Sequence, residues 1–185
     1  PKFHIHLYTS LNLVTEENLK LLHDAGLDEI RFHLDIDSEQ FWPRLELAQK
    51  FAWKRGVELP SIPQKEANLR KIIDFICDKV DFLVLNELEV ADNNMSKLLE
   101  IGYKTKEQFS YAVEDSINTG LRLIEYAQNK GYVFAIHLCT AKLKDSVQLA
   151  NRIKREAEHS KQAFDTRFFE IIKGLKQAGQ IFSRL

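Results

Sequence analysis

Three stretches of the chain place ionisable or coordinating side chains two residues apart: His4, His6 and Tyr8; Arg31, His33 and Asp35; His137 and Cys139; a fourth offers Glu58, two before Pro60. On an extended strand, side chains two apart project to the same face, so each stretch is a short row of functional groups. Imidazoles offer proton transfer and metal ligation, carboxylates offer charge, and the arginine fork suits a carboxylate or phosphate. Further polar residues adjoin these rows. Thr9 follows Tyr8, Ser61 follows Pro60, and Asn86-Glu87-Leu88-Glu89 follows a run of aliphatic residues. Lys144, Gln148, Asn151, Arg152 and Arg155 recur at spacings of three and four, which on a helix makes one wide polar face, with Arg152 and Arg155 as candidates for binding an anion.

The rows need strands to hold them. Short β-branched or aliphatic runs at residues 3–8, 29–34, 57–62, 80–85 and 132–139 predict five strands. Amphipathic segments lie between them. The first opens at Thr15 with Glu16 and Glu17 in its first turn, turns Leu19 and Leu22 inward and closes at Gly26. The second opens at Pro43 and stops at Gly56, and the third carries Leu69, Ile72, Ile73 and Ile76. A longer interval follows, with a short helix expected near 95–101 and a stronger one at 118–130. Beyond Cys139 the pattern predicts a charged helix over 144–160 and a weaker one over 166–177. Strand and helix in alternation predict an α/β fold: a partial (β/α) barrel, or open curved parallel sheet, with helices outside. Five strands cannot close the eight-stranded type, which takes about 250 residues. The expectation is that a segment precedes Pro1 in the intact protein or that the sheet stays open.

Parallel strands covered by helices read as near-continuous apolar runs, yet here one face is polar on several strands. Helices must cover the apolar face, so the polar rows face the lumen, where charges are costly unless paired. Such a lumen is a paired network or a ligand site. For the set the ligand site is preferred; for Arg31 and Glu58 alone, simple bracing between strands is an equal reading. Ligands in these folds bind at the carboxyl ends of strands, where Tyr8, Thr9, His33, Asp35, Asn86, Glu87 and Cys139 are expected. A rival reading takes His4, His6, His33 and His137 as the ligands of a divalent metal in a barrel hydrolase, with a metal-bound water as nucleophile. A second rival is a non-catalytic scaffold that keeps the fold without the chemistry.

Composition narrows the classes further. The 26 Lys and Arg against 27 Asp and Glu produce no field that would draw the protein to nucleic acid or an anionic membrane. Two cysteines, Cys77 and Cys139, are too few for a disulfide framework, and no secretory leader is visible, so a cytoplasmic protein is expected. No apolar run approaches the roughly 20 residues needed to cross a bilayer.

Several words of the sequence, taken in order, resemble one family: Phe3-His-Ile-His-Leu-Tyr-Thr9, Ala25-Gly-Leu-Asp-Glu-Ile-Arg-Phe-His33, Val57-Glu-Leu-Pro-Ser-Ile-Pro63, Val80-Asp-Phe-Leu-Val-Leu-Asn-Glu-Leu-Glu89 and the stretch from His137 to Arg155. They are similar to a mainly archaeal branch of the radical S-adenosylmethionine (radical SAM) superfamily, related to the activating enzymes of pyruvate formate-lyase and anaerobic ribonucleotide reductase. The resemblance covers residues 1–158, with 159–185 as a helical tail. It implies a parent enzyme in which three cysteines hold a four-iron, four-sulfur cluster that cleaves S-adenosylmethionine reductively to a 5′-deoxyadenosyl radical. The cysteine loop and the glycine-rich turn of that family are absent here. The chain would then be the C-terminal part of the barrel, inactive alone, with the missing N-terminal half as its partner. By position in the family, Tyr8, Thr9, His33, Asp35, Glu58 and Ser61 fall to the cofactor; Arg31 joins them because it shares the face of His33 and offers a fork suited to a carboxylate, and His6 because it lies on the facing row with Tyr8. Asn86, Glu87, Glu89, His137, Lys144 and Arg152 fall to a small-molecule or protein substrate, and no metal ligand is expected in this chain.

Overall fold

A computed structural model describes residues 3–90, 97–106, 111–144, 151 and 153–156. The chain divides into two compact units, Pro1–Cys139 and Thr140–Leu185. In the first, five strands hydrogen-bond in chain order and all in parallel: β1 (His6–Ser10), β2 (Glu29–His33), β3 (Lys54–Ser61), β4 (Phe82–Glu87) and β5 (Ala135–Cys139). Among the described residues β1 and β5 have no mutual pairing, so the sheet is the open, curved, partial β/α barrel expected from the alternation.

One face of the sheet is covered by helices α1 (Glu16–Asp24), α2 (Glu66–Ile76) and α3 (Ser116–Asn129), and by a 3-10 run at Trp42–Lys50. Ile30, Phe32, Val57, Leu59, Leu83 and Leu85 point into this layer and meet Leu19, Leu45, Leu69, Ile72, Ile73, Ile76 and Leu123 in one continuous core. The alternate residues form the polar row on the opposite face, which α1, α2 and α3 leave uncovered and which is helix-free among the described residues of this unit, as a period of two requires. Local signals set the helix ends. Thr15 caps α1 by accepting from the Asn18 backbone N–H at 3.2 Å, and Gly26 ends the turn at φ 87°.

The second predicted helix does not form as such. After the 3-10 run the chain becomes extended at Lys54, and Gly56 lies inside β3. Tertiary contacts override the local pattern here: the Trp53 indole donates to the Ala48 carbonyl at 3.1 Å, and its ring meets His23 edge-on and Phe51 at a tilt. Asp81 then fixes Arg55, accepting from its backbone N–H at 2.7 Å and its guanidinium at 3.1 Å. β1 begins three residues later than predicted, at His6, and β5 likewise at Ala135. β4 is displaced by two, which brings Asn86 and Glu87 into the strand.

Between β4 and α3 the chain makes an excursion closed by antiparallel bridges, Glu89 to Ala112 and Thr105 to Val113. The short helix expected near 95–101 is a turn over its described part, residues 98–102. In the second unit, Thr140 caps α4 (Ala141–Leu143), its hydroxyl accepting from the Leu143 N–H at 3.2 Å, and residues 151 and 153–156 are helical. The helix predicted over 166–177, like the rest of the tail, lies outside the described residues. Among the described residues no helix is long and apolar enough to cross a membrane.

Candidate functional site

On the helix-free face the strand register aligns the polar rows. Tyr8 lies opposite Arg31, Arg31 opposite Gly56, and Pro60 opposite Asn86. A continuous chain of bonds results. His4 Nε2 meets Glu29 Oε2 at 3.2 Å; Arg31 Nε donates to Glu29 Oε1 at 2.6 Å. Arg31 Nη1 donates to the Tyr8 hydroxyl at 2.9 Å and to Glu58 Oε2 at 3.3 Å, and Asn86 Nδ2 donates to Glu58 Oε1 at 2.8 Å. The guanidinium also lies 5.2 Å from the ring centres of both Tyr8 and Phe82. Arg31 is thus braced by two carboxylates, the Tyr8 phenol and the Phe82 ring across four strands.

The electrostatics follow from that packing. Burial pushes the Glu29 carboxyl up, but the hydrogen bond and charge of Arg31, with the His4 bond, outweigh it and hold the group below the usual carboxylate range. Burial likewise opposes the charge on Arg31, and the bond to Glu29 with the surrounding negative charge raises its pKa on balance. Burial and the neighbouring Glu58 charge push the Tyr8 phenol up against the lowering effect of Arg31.

At the carboxyl ends of β1 and β2 a cavity of about 210 Å³ opens, lined among others by Ser10, Asn12, His33, Asp35, Ser38 and Trp42. Asp35 shapes its wall: Oδ1 accepts from the backbone N–H groups of Asp37 at 2.9 Å and Ser38 at 3.2 Å, and the Asp35 carbonyl accepts from the Trp42 indole at 2.9 Å. His33 is exposed at the mouth, its ring 5.9 Å from that of Tyr8. Thr9 is half-buried nearby, its hydroxyl donating to the Ser10 carbonyl at 3.0 Å.

Other candidate residues fall elsewhere. Ser61 and Glu87 are on the helix side of the sheet, because each alternates with a residue of the polar row. Ser61 is fully buried beside Gly120 of α3, and among the described residues its hydroxyl oxygen has no hydrogen-bond partner. Glu87, 3 % exposed, accepts from Lys106 Nζ at 2.6 Å. Glu89 sits on the antiparallel bridge beyond β4. His137 shares the face of Asn86 at the far edge of the sheet, opposite Val84. Lys144 belongs to the second unit, half-buried just after α4, and Arg152 lies outside the described residues. His4 and His6 do meet, but with Glu29 rather than with His33 and His137. His137 is four strand spacings from β1, roughly 19 Å along the sheet at about 4.8 Å per strand. Glu29 was not singled out from the sequence, although its position two before Arg31 places it in the same row. Ser10, Ser38 and Trp42 carry no signal beyond proximity to strand ends.

Fold and site together define a class: an open parallel β/α sheet of the partial-barrel kind, with a polar row on its helix-free face and a cavity at its strand ends. Over 173 residues the chain is 36% identical to a protein of Methanocaldococcus jannaschii named "Putative glycyl-radical enzyme activating enzyme", the match covering 89% of this chain and 45% of that protein. The chain is thereby similar to a protein named as an activating enzyme, and it spans less than half the length of that curated relative. No protein-family model matches it. Among solved structures, the N-terminal domain of a "putative aldolase" from Bacteroides vulgatus overlays at a TM-score of 0.40 with 14% identity, covering 97% of this chain and 64% of that one, too loose a likeness to argue from.

Proposed function

We propose that the chain is the later part of a radical SAM barrel and contributes strand-end residues to the S-adenosylmethionine site of its parent enzyme. The observation that carries this reading is the cavity at the carboxyl ends of β1 and β2, with His33 and Asp35 in its wall, in a chain related to an activating enzyme. Its volume is below the 300 Å³ or so typical of a site for a whole drug-sized ligand, so these residues suit one end of the cofactor. The methionine end carries an ammonium and a carboxylate, which match the Asp35 carboxylate and the His33 imidazole.

The cluster is a different matter. Cys77 follows α2 and Cys139 ends β5, and three thiolates are needed to leave one iron open. These residues do not fit a cluster site, and ligands for it would come from outside this chain. When bound to such a cluster, S-adenosylmethionine supplies the radical; the part assigned to this chain is to hold and orient the cofactor. Asn86 and His137, farther along the same face, are assigned to the substrate.

The test uses the whole parent protein, loaded with its cluster under anaerobic conditions. Asp35→Asn keeps an oxygen for the Asp37 and Ser38 N–H groups while removing the charge. It should weaken S-adenosylmethionine binding about tenfold, as loss of one charge-assisted hydrogen bond implies. His33→Ala should do the same. Unchanged affinity in both folded variants, measured by calorimetry, would place the cofactor elsewhere.

A further inference from the structure

At the end of the sheet opposite the cavity, His4, His6 and Glu29 bring one ligand atom each within 4.8 Å of one another. The arrangement follows from register. His6 is the direct partner of Glu29 across β1 and β2, and His4 is two residues earlier on the same face. The His4 and His6 rings are 6.2 Å apart between centres, tilted by 43°. The His6 nitrogens have no hydrogen-bond partner among the described residues; its ring neighbours are His4 and, edge-on, Tyr8. Glu29 is oriented from behind by Arg31, whose Nε holds Oε1 at 2.6 Å and leaves Oε2 toward the imidazoles. A ligand carboxylate fixed by an outer hydrogen bond is the usual support of a metal site.

We propose that His4, His6 and Glu29 bind a divalent transition-metal ion, with zinc as the expected occupant, and that this ion fastens β1 to β2. Two neutral imidazoles and one carboxylate are a donor set zinc accepts, with water completing the coordination. The position argues for a structural role. The site lies at the amino ends of the strands, about 13 Å from Ser10 at four residues of roughly 3.3 Å each, and that face of such barrels serves stability while the opposite one serves chemistry. The proposal does not depend on the cofactor assignment.

The test is equilibrium dialysis of the chain against zinc, followed by metal analysis, and visible absorption after loading with cobalt. One zinc per chain should be retained, and cobalt should give the strong bands of a four- or five-coordinate site. Both should be lost, or the affinity should fall at least tenfold, in His6→Ala and in His4→Ala. Zinc should also raise the thermal midpoint of the native chain and leave that of His6→Ala unmoved. Because both histidines are exposed, these variants should fold. No retained metal, or retention unchanged in the His4→Ala/His6→Ala double variant, would overturn the proposal and leave the trio as a hydrogen-bonded end to the Arg31 chain.

Discussion

Replacing Arg31 by alanine should lower the stability of the chain by about 3 kcal/mol, because it leaves two partly buried carboxylates facing each other without their common cation. Glu29 and Glu58 are only 7 % and about one-sixth exposed at residue and side-chain level respectively, and Arg31 is the link between them. The loss should exceed that of deleting a solvent-exposed pair, which is at most about 1 kcal/mol. Arg31→Met together with Glu29→Gln and Glu58→Gln should recover most of it, since the carboxylates would then be neutral. Urea unfolding of the three proteins distinguishes the cases. If Arg31→Ala unfolds at the same urea concentration as the native chain, the bracing carries no energy. Any loss of cofactor affinity seen for Arg31→Ala in the parent enzyme must be read against this cost, since two of the guanidinium nitrogens are already committed within the sheet.

The second large effect is expected at Gly56. A methyl group on this residue would overlap the ring of Phe82, its direct partner on β4, and that ring also stacks on the Arg31 guanidinium. An aromatic ring held between a backbone and a cation has little room to yield. Gly56→Ala should therefore cost about 2–3 kcal/mol through overpacking. Phe82→Leu alone should cost about 1 kcal/mol, as a smaller change of volume and the loss of one cation–π contact. In combination the two should be less harmful than their sum by 1 kcal/mol or more, as neighbours in contact are. Simple additivity in denaturant unfolding would show that the ring moves aside freely.

The fold was largely legible because its signals are local and periodic. Ile30, Phe32 and Leu34 against Arg31, His33 and Asp35 reveal both the strand and its two faces, and Thr15 with Gly26 brackets α1. Legibility failed where a contact distant in sequence decided the conformation. Nothing near Gly56 announces that Phe82 needs its space, so the glycine resembles a helix end. Faces were lost where a strand limit moved. With β4 ending at Glu87, the polar pair beyond the aliphatic run splits, Asn86 joining the polar row and Glu87 turning under the helices toward Lys106. The relation to the radical SAM activating enzymes came from ordered words spanning the chain, which a relative 36% identical bears out. Pairing of Arg31 was visible as one of two readings, but its choice of Glu29 as the nearest partner depends on rotamers that no pattern encodes.

The two tryptophans of the chain stand at separate places with separate neighbours. Trp42 forms part of the cavity wall and is tied by its indole to the Asp35 carbonyl, while Trp53 is buried in the seam between α1 and the 3-10 run, against His23 and Phe51. The molecule therefore carries two intrinsic optical reporters of different events. Emission from Trp42 should follow occupation of the strand-end cavity, and emission from Trp53 should follow loosening of the helical layer. A Trp53→Phe protein retains a single tryptophan, at the candidate ligand site, so binding there should become readable in solution without any label.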